Sequence, residues 1–267
     1  MTTQLVLLVL AVLFLVPLAY IVFSSFKSPG EALQVPQTFL PRHWSLANYA
    51  TVFNGGQFGA YFWNSIVITV GGVLITAVVA SLAGYGFAKL PFRGQGVLLT
   101  LILATLTIPL VVFLVPMFLM EDGTGLLNTQ IGLILPNVAL HLPFTILIMR
   151  AAFLAIPKEV EESATLDGAG AFRAWWAVML PMARNGVVLC LIVTTYETWG
   201  EYTLAKTLAI DPPAMPLTVG LTLLKGEVWD FGTLSAVIVL AILPPIIVFA
   251  FFQRHIVAGL AQGAIKG

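Results

Sequence analysis

Glu197 and Glu201 stand four residues apart in an otherwise uncharged stretch, so on a helix their carboxylates share one face. Tyr196, Thr198, Trp199 and Tyr202 surround them. Carboxylates beside aromatic rings suit a sugar, whose C–H faces stack on rings while its hydroxyls donate to carboxylate oxygens. The same pair could serve as acid and base, because retaining glycosidases hold two carboxyl groups roughly 5 Å apart. Asn137 and His141, again four apart and flanked by Pro136 and Pro143, add an amide and an imidazole. Interrupted helices often border transport sites. Plainer roles compete: Trp199 and Tyr202 as rings at a membrane–water boundary, Glu201 as an ion partner of Lys206, His141 as a structural side chain.

Other chemistries are excluded by what the sequence lacks. No Gly-Lys pair occurs, so there is no phosphate loop with its lysine and magnesium-binding hydroxyl. No Gly-x-Ser-x-Gly elbow or His-Glu-x-x-His run is present, and His43, His141 and His255 are too scattered for a metal site. The single cysteine, Cys190, rules out an internal disulfide. Twelve basic residues balance twelve acidic ones, which offers no electrostatic footprint for nucleic acid.

The elements that must position these residues are written in the composition. Of 267 residues 59% are hydrophobic and only 9% are charged, against roughly 25% charged in a soluble domain. A bilayer core takes about 20 apolar residues of helix to cross. Six stretches qualify, at 5–23, 65–87, 96–120, 131–155, 186–204 and 233–252, and Glu197 and Glu201 are the only acids placed inside one. Helices alone satisfy the backbone there. The expected fold class is all-α: a polytopic membrane protein of six transmembrane helices in one domain over 1–267.

Met1–Gln4 carries no basic residue and no small-x-small site precedes Lys27, so the first stretch reads as a retained anchor. With the N-terminus inside, the inside loops hold Lys89, Arg93, Arg150, Lys158, Arg173, Arg184, Arg254 and Lys266, and the outside loops hold Lys27, Arg42, Lys206 and Lys225. That bias puts both termini in the cytoplasm. Ser24–Asn64 reads as an extended, turn-rich outside cap, and Glu121–Thr129 as a short outside turn.

The inside segment 156–185 differs from its surroundings. Glu159, Glu161, Glu162 and Asp167 fall within nine residues. Pro157 suits a helix's first turn, acids there complement the macrodipole, and Gly168 can end that helix at positive φ. Phe172, Trp175, Trp176 and Met179 follow at i, i+3, i+4 and i+7, which is one face of a second helix. Two readings stand: a connector lying in the lipid interface, or a hairpin whose apolar face docks on a soluble partner.

The run Pro157-Lys158-Glu159-Val160-Glu161-Glu162-Ser163-Ala164-Thr165-Leu166-Asp167-Gly168-Ala169, followed by Leu180-Pro181, resembles the EAA loop of ABC-importer permeases, in their carbohydrate-uptake (maltose-type) branch. Ser163 stands where that family usually has alanine. Ser24-Ser25-Phe26-Lys27, Gly125-Leu126-Leu127-Asn128-Thr129 and Phe252-Gln253-Arg254 with Gly259-Leu260 and Gly263–Gly267 resemble the same branch, in the same order. Trp199-Gly200-Glu201-Tyr202 does too, with Gly200 for the usual asparagine. The likeness covers nearly the whole chain.

The resemblance implies a permease that forms half of a pathway for a sugar or related solute by alternating access. Its coupling loop, 156–185, would sit on a dimer of ATP-binding subunits that hold the ATP and magnesium, so this chain would carry no cofactor. Coupling would fall to Glu159, Glu162, Ser163, Ala164, Asp167, Gly168, Ala169, Phe172 and Trp176, and Gly263–Gly267 would reach towards the ATPase. A second, homologous permease and an extracytoplasmic solute-binding protein would complete the assembly, in the lipid of a bacterial or archaeal cytoplasmic membrane. On this reading Asn137, His141, Glu197, Trp199, Glu201 and Tyr202 line the substrate pathway. The alternatives are a permease for an amino acid or osmolyte, and a membrane-embedded enzyme using Glu197 and Glu201.

Overall fold

The computed structural model describes residues 2–32, 34–55, 57–224 and 231–264; Gly56, Lys225 and the tail 265–267, which includes Lys266, lie outside them. In chain order the helices are α1 (Thr2–Ser25), α2 (Ala47–Asn54), α3 (Phe58–Lys89), α4 (Gln95–Ala104), α5 (Leu110–Thr124), α6 (Gln130–Leu154), α7 (Lys158–Leu166), α8 (Ala171–Met182), α9 (Arg184–Gly200), α10 (Thr203–Leu208), α11 (Leu217–Leu224) and α12 (Phe231–Ala264). Among the described residues there is no strand. Four helices, α1, α3, α6 and α12, are each long and apolar enough to cross a membrane. The pairs α4–α5 and α8–α9, bent by 101° and 80°, bring the number to six if each pair is one crossing.

The bends have local causes. Pro109 has no N–H to give and drives Ile108 into extended backbone (φ −87°, ψ 121°), so the third apolar stretch stops and restarts there. After it α5 runs on to Thr124, through residues whose sequence reads as the start of a turn. Glu121 therefore lies in the helix and is only 2% exposed, which corrects the expectation that Glu197 and Glu201 are the only acids inside a span. Ser24–Asn64 is also more regular than its sequence suggests, since α2, a one-turn helix at Pro29–Ala32 and the first turns of α3 lie within it.

The chain divides into two packed units, Met1–Trp63 with Pro216–Ile246, and Asn64–Met215 with Ile247–Gly267. In the first, Ser24, Ser25 and Lys27 are buried, and the Lys27 ammonium lies 4.9 Å from the centre of the Tyr20 ring. The Asn48 amide donates to the carbonyls of Ser25 and Lys27 at 3.0 and 2.8 Å. Glu31 accepts the N–H of Arg42 at 2.7 Å and the hydroxyl of Thr38 at 3.1 Å.

In the second unit α3 crosses α6 at Gly84, where a Cβ would lie 2.6 Å from Met149 Cβ. Close approach through a small residue is how membrane helices gain contact when lipid gives no hydrophobic drive between them. Tyr85 and Phe87 of α3, Met149 and Phe153 of α6, and Trp175 and Met179 of α8 close one apolar cluster around that crossing. At the opposite end of α3 the Asn64 amide donates to the carbonyls of Pro213 and Met215 at 2.9 and 3.0 Å, and its oxygen accepts from Gln130 at 2.8 Å. Cys190 of α9 belongs to the same apolar cluster, so the two clamps hold α3, α6 and α9 as a frame for the site.

Candidate functional site

Two cavities sit side by side in the second unit. The larger, about 520 Å³, lies in the elbow of α4 and α5 against α6, and its wall is apolar, with Ile102, Leu106, Phe113, Met117 and Ile146 among its residues. Thr105 is the one polar side chain of its lining, and that hydroxyl is already donated to the carbonyl of Ile102 at 2.6 Å. The second, about 470 Å³, is lined by Leu110 of α5, Leu140 and His141 of α6, and Tyr196, Glu197, Gly200 and Glu201. Of the residues singled out for the pathway, His141, Glu197 and Glu201 meet there.

Their geometry differs from an unbroken helix. α9 ends at Gly200, and Glu201 is extended (φ −66°, ψ 124°), so the two acids are not a simple i, i+4 pair. The Glu201 carboxylate turns back onto α10, where it accepts the N–H groups of Leu204 at 2.7 Å and Ala205 at 2.8 Å. Those are orphan donors of a helix's first turn, satisfied as an N-terminal cap satisfies them. Glu201 is thus a capping group at the edge of the cavity, while Glu197 and Tyr196 are exposed on its wall. The Nε2 of His141 is buried with no hydrogen-bond partner.

The remaining pathway residues lie elsewhere. Trp199 is buried and turned away from the cavity, because two residues along a helix rotate a side chain by about 200° from Glu197. Tyr202 is exposed beyond the helix end and does not line the cavity. Asn137 is buried, donating from Nδ2 to the carbonyl of Leu133 at 2.8 Å, one turn back on its own helix. Leu110 and Leu140 join the wall without any polar signal in the sequence; only the break at Pro109 marks where α5 turns in.

The hairpin α7–α8 is the second candidate. α7 closes with a double bond set, Gly168 N–H to Thr165 carbonyl and Ala169 N–H to Ala164 carbonyl, each 3.0 Å, with Gly168 at φ +78°. This is the Schellman arrangement, which needs a residue tolerant of left-handed backbone after the helix. Glu159, Ser163, Asp167 and Gly168 are exposed, as is Glu162, which pairs with Lys158 at 3.1 Å; Ala164 is buried and Ala169 half-buried. The four apolar side chains of α8 do not all enter the core. Trp175–Met179 winds as a π-turn, and Trp175 (5% exposed) and Met179 enter the core while Phe172 (71%) and Trp176 (62%) point out. Each pair is an i, i+4 pair, so the two pairs occupy neighbouring edges of one stripe and the core takes only one edge.

Residues 77–262 match the family described as binding-protein-dependent transport system inner membrane component. The chain is 36% identical over 96% of its length to the diacetylchitobiose uptake system permease protein of Streptomyces coelicolor, covering 85% of that protein. It is 33% identical over 95% of its length to the sulfoquinovosyl glycerol transport system permease protein of Agrobacterium fabrum, covering 89% of it. Its fold superposes with TM-score 0.82 and 26% identity on a chain of a bacterial ABC transporter involved in import of the acidic polysaccharide alginate, over 95% of this chain and 94% of that one. These are transport proteins throughout, so the reading of Glu197 and Glu201 as an enzyme's acid and base is set aside. The chain belongs to the binding-protein-dependent transport inner-membrane components, as a permease subunit of the ABC-importer kind.

Proposed function

We propose that the chain forms half of the translocation pathway for a sugar-type solute, with the α5–α6–α9 cavity on the solute's route and the α7–α8 hairpin as the element pushed by a dimer of ATP-binding subunits. The observation that carries this reading is Glu197, an exposed carboxylate on α9, whose bent pair with α8 is long and apolar enough to be one crossing. A carboxylate at membrane depth costs about 2.5–3.5 kcal/mol on insertion scales, so it faces water or protein and not lipid tails. Beside it, the Tyr196 ring offers a stacking face and His141 a hydrogen-bonding nitrogen, which together fit a polyhydroxylated ring.

The diacetylchitobiose, sulfoquinovosyl glycerol and alginate systems support a saccharide cargo. The family description supports an extracytoplasmic solute-binding protein as partner. A second, homologous permease follows from the general arrangement in which transport sites lie between two halves. ATP and magnesium stay with the ATP-binding subunits. The excess of Lys and Arg in alternate loops supports both termini in the cytoplasm of a bacterial or archaeal cell.

The test is purification of the assembled complex with its solute. A saccharide released and identified by mass spectrometry, with an ATPase and a second permease in the preparation, is the expected result; an amino acid or osmolyte in its place overturns the sugar assignment. For the hairpin, Gly168→Pro is expected to leave membrane insertion intact and abolish substrate-stimulated ATP hydrolysis. Normal stimulation in that variant removes the hairpin from the coupling role.

A further inference from the structure

We propose that Glu197 sets the charge preference of the pathway: its carboxylate makes the α5–α6–α9 cavity favour cations and reject anions, so the solute is a neutral or amino-bearing saccharide and not an acidic one. This rests on the cavity lying on the solute's route.

The wall of that cavity holds two carboxylates and an imidazole, and neither lysine nor arginine. Of the two carboxylates, Glu201 is already turned onto the N–H groups of Leu204 and Ala205, so its negative charge is partly offset by the first turn of α10. Glu197 has no such cap, stands exposed on the wall, and shares it with the open edge of Tyr196. Low-dielectric walls lengthen the reach of a single charge, and a cleft lined by one sign raises the local concentration of the opposite sign. A neutral sugar donates hydroxyls to Glu197, an amino sugar adds an ion pair, and a uronate or sulfonate meets like charge with no guanidinium or ammonium on this wall to receive it.

The experiment uses the complete complex in liposomes, with Tyr196→Cys in this chain. Cationic, anionic and uncharged membrane-impermeant methanethiosulfonates of similar size are added on both sides, and labelling of this chain is followed by mass spectrometry. Each rate is divided by that of the same reagent with a free thiol in solution. The native Cys190 is buried and provides the background. The cationic reagent is expected to label at least about tenfold faster than the anionic one, a ratio that Glu197→Asp keeps and Glu197→Gln brings to near one. Equal normalised rates, or a ratio that survives Glu197→Gln, overturn the charge preference and leave the permease reading standing. No labelling by the uncharged reagent means that no water reaches the cavity, which removes the cavity from the route and the preference with it.

Discussion

Glu31 is buried in the first unit, and the N–H of Arg42 donated to it holds its carboxyl below the usual carboxylate range; the His43 N–H, the Thr38 hydroxyl and the Lys27 charge act the same way, against burial, which raises it. The folded carboxyl therefore binds a proton less readily than the unfolded one. The stability this contributes is complete above the ordinary carboxylate pKa, about 4.3, and is lost as pH falls through the lower folded value. Thermal melting of the complex between pH 7 and pH 3 is expected to show a steeper acid-side loss for the wild type than for Glu31→Gln; parallel curves would mean that the contacts of Glu31 contribute nothing. The two acids of the cavity separate in the same residue-by-residue way. Glu201→Ala leaves the first N–H groups of α10 without their acceptor and is expected to cost about 0.5–2 kcal/mol of stability, the range of a lost helix cap. Glu197→Ala removes an exposed side chain that caps no helix and is expected to change stability by less than about 0.5 kcal/mol while abolishing solute uptake. Melting and uptake measured on both variants check the division, and equal destabilisation by the two would contradict it.

At the scale of the element, α8 gives adjacent tryptophans different duties. Trp175 touches both Phe172 and Trp176, with ring centres 5.2 and 5.8 Å apart, yet only Trp175 is anchored in the cluster of α3 and α6. Trp175→Ala is expected to cost about 3–5 kcal/mol, as truncating a buried aromatic ring does, and to lower the yield of folded chain. Phe172→Ala and Trp176→Ala are expected to fold normally and to lose substrate-stimulated ATP hydrolysis, read as the ratio of stimulated to basal rate. A helical wheel drawn from the sequence puts all four apolar residues of α8 on one side; that the cluster with Met149 and Phe153 takes Trp175 and Met179 and leaves Phe172 and Trp176 exposed is a matter of tertiary packing, which no such pattern states. The long apolar runs are legible for the opposite reason, since the bilayer demands them of any helix that crosses it. The break at Pro109 is legible in kind, and its 101° is not, because proline sets where a helix stops and tertiary contacts set where the chain goes next. Glu201 shows the same limit at the site. Its spacing from Glu197 reads as one helical face only while α9 continues, and α9 ends one residue too soon.

At the scale of the whole molecule, the amino-acid sequence carries the class of the protein in its charge deficit and the two helices of its hairpin in one acidic run and one aromatic run, while the exposure of α1 and of Glu197 is legible only in the fold. Glu197 and Tyr196 are exposed on α9, whose bent pair with α8 is long and apolar enough to be one crossing, and the apolar window of α1 has none of its residues buried. Lipid can solvate α1 at no cost, since its side chains are apolar on every side. It cannot solvate Glu197. On the proposed pathway a second permease would complete a wet wall around the carboxylate, which in an unassembled chain would meet lipid or draw water into the bilayer, at about 2.5–3.5 kcal/mol on insertion scales. Expressed without partners, the chain is therefore expected to accumulate less than in the complete complex, and Glu197→Leu is expected to recover a several-fold part of the difference. The same substitution within the complex should leave its yield unchanged and stop uptake. Quantitative immunoblotting of membranes from the four strains decides the matter. If Glu197→Leu fails to raise the lone chain's level, the cavity with His141 keeps the carboxylate solvated within its own chain, and it does not wait for a partner.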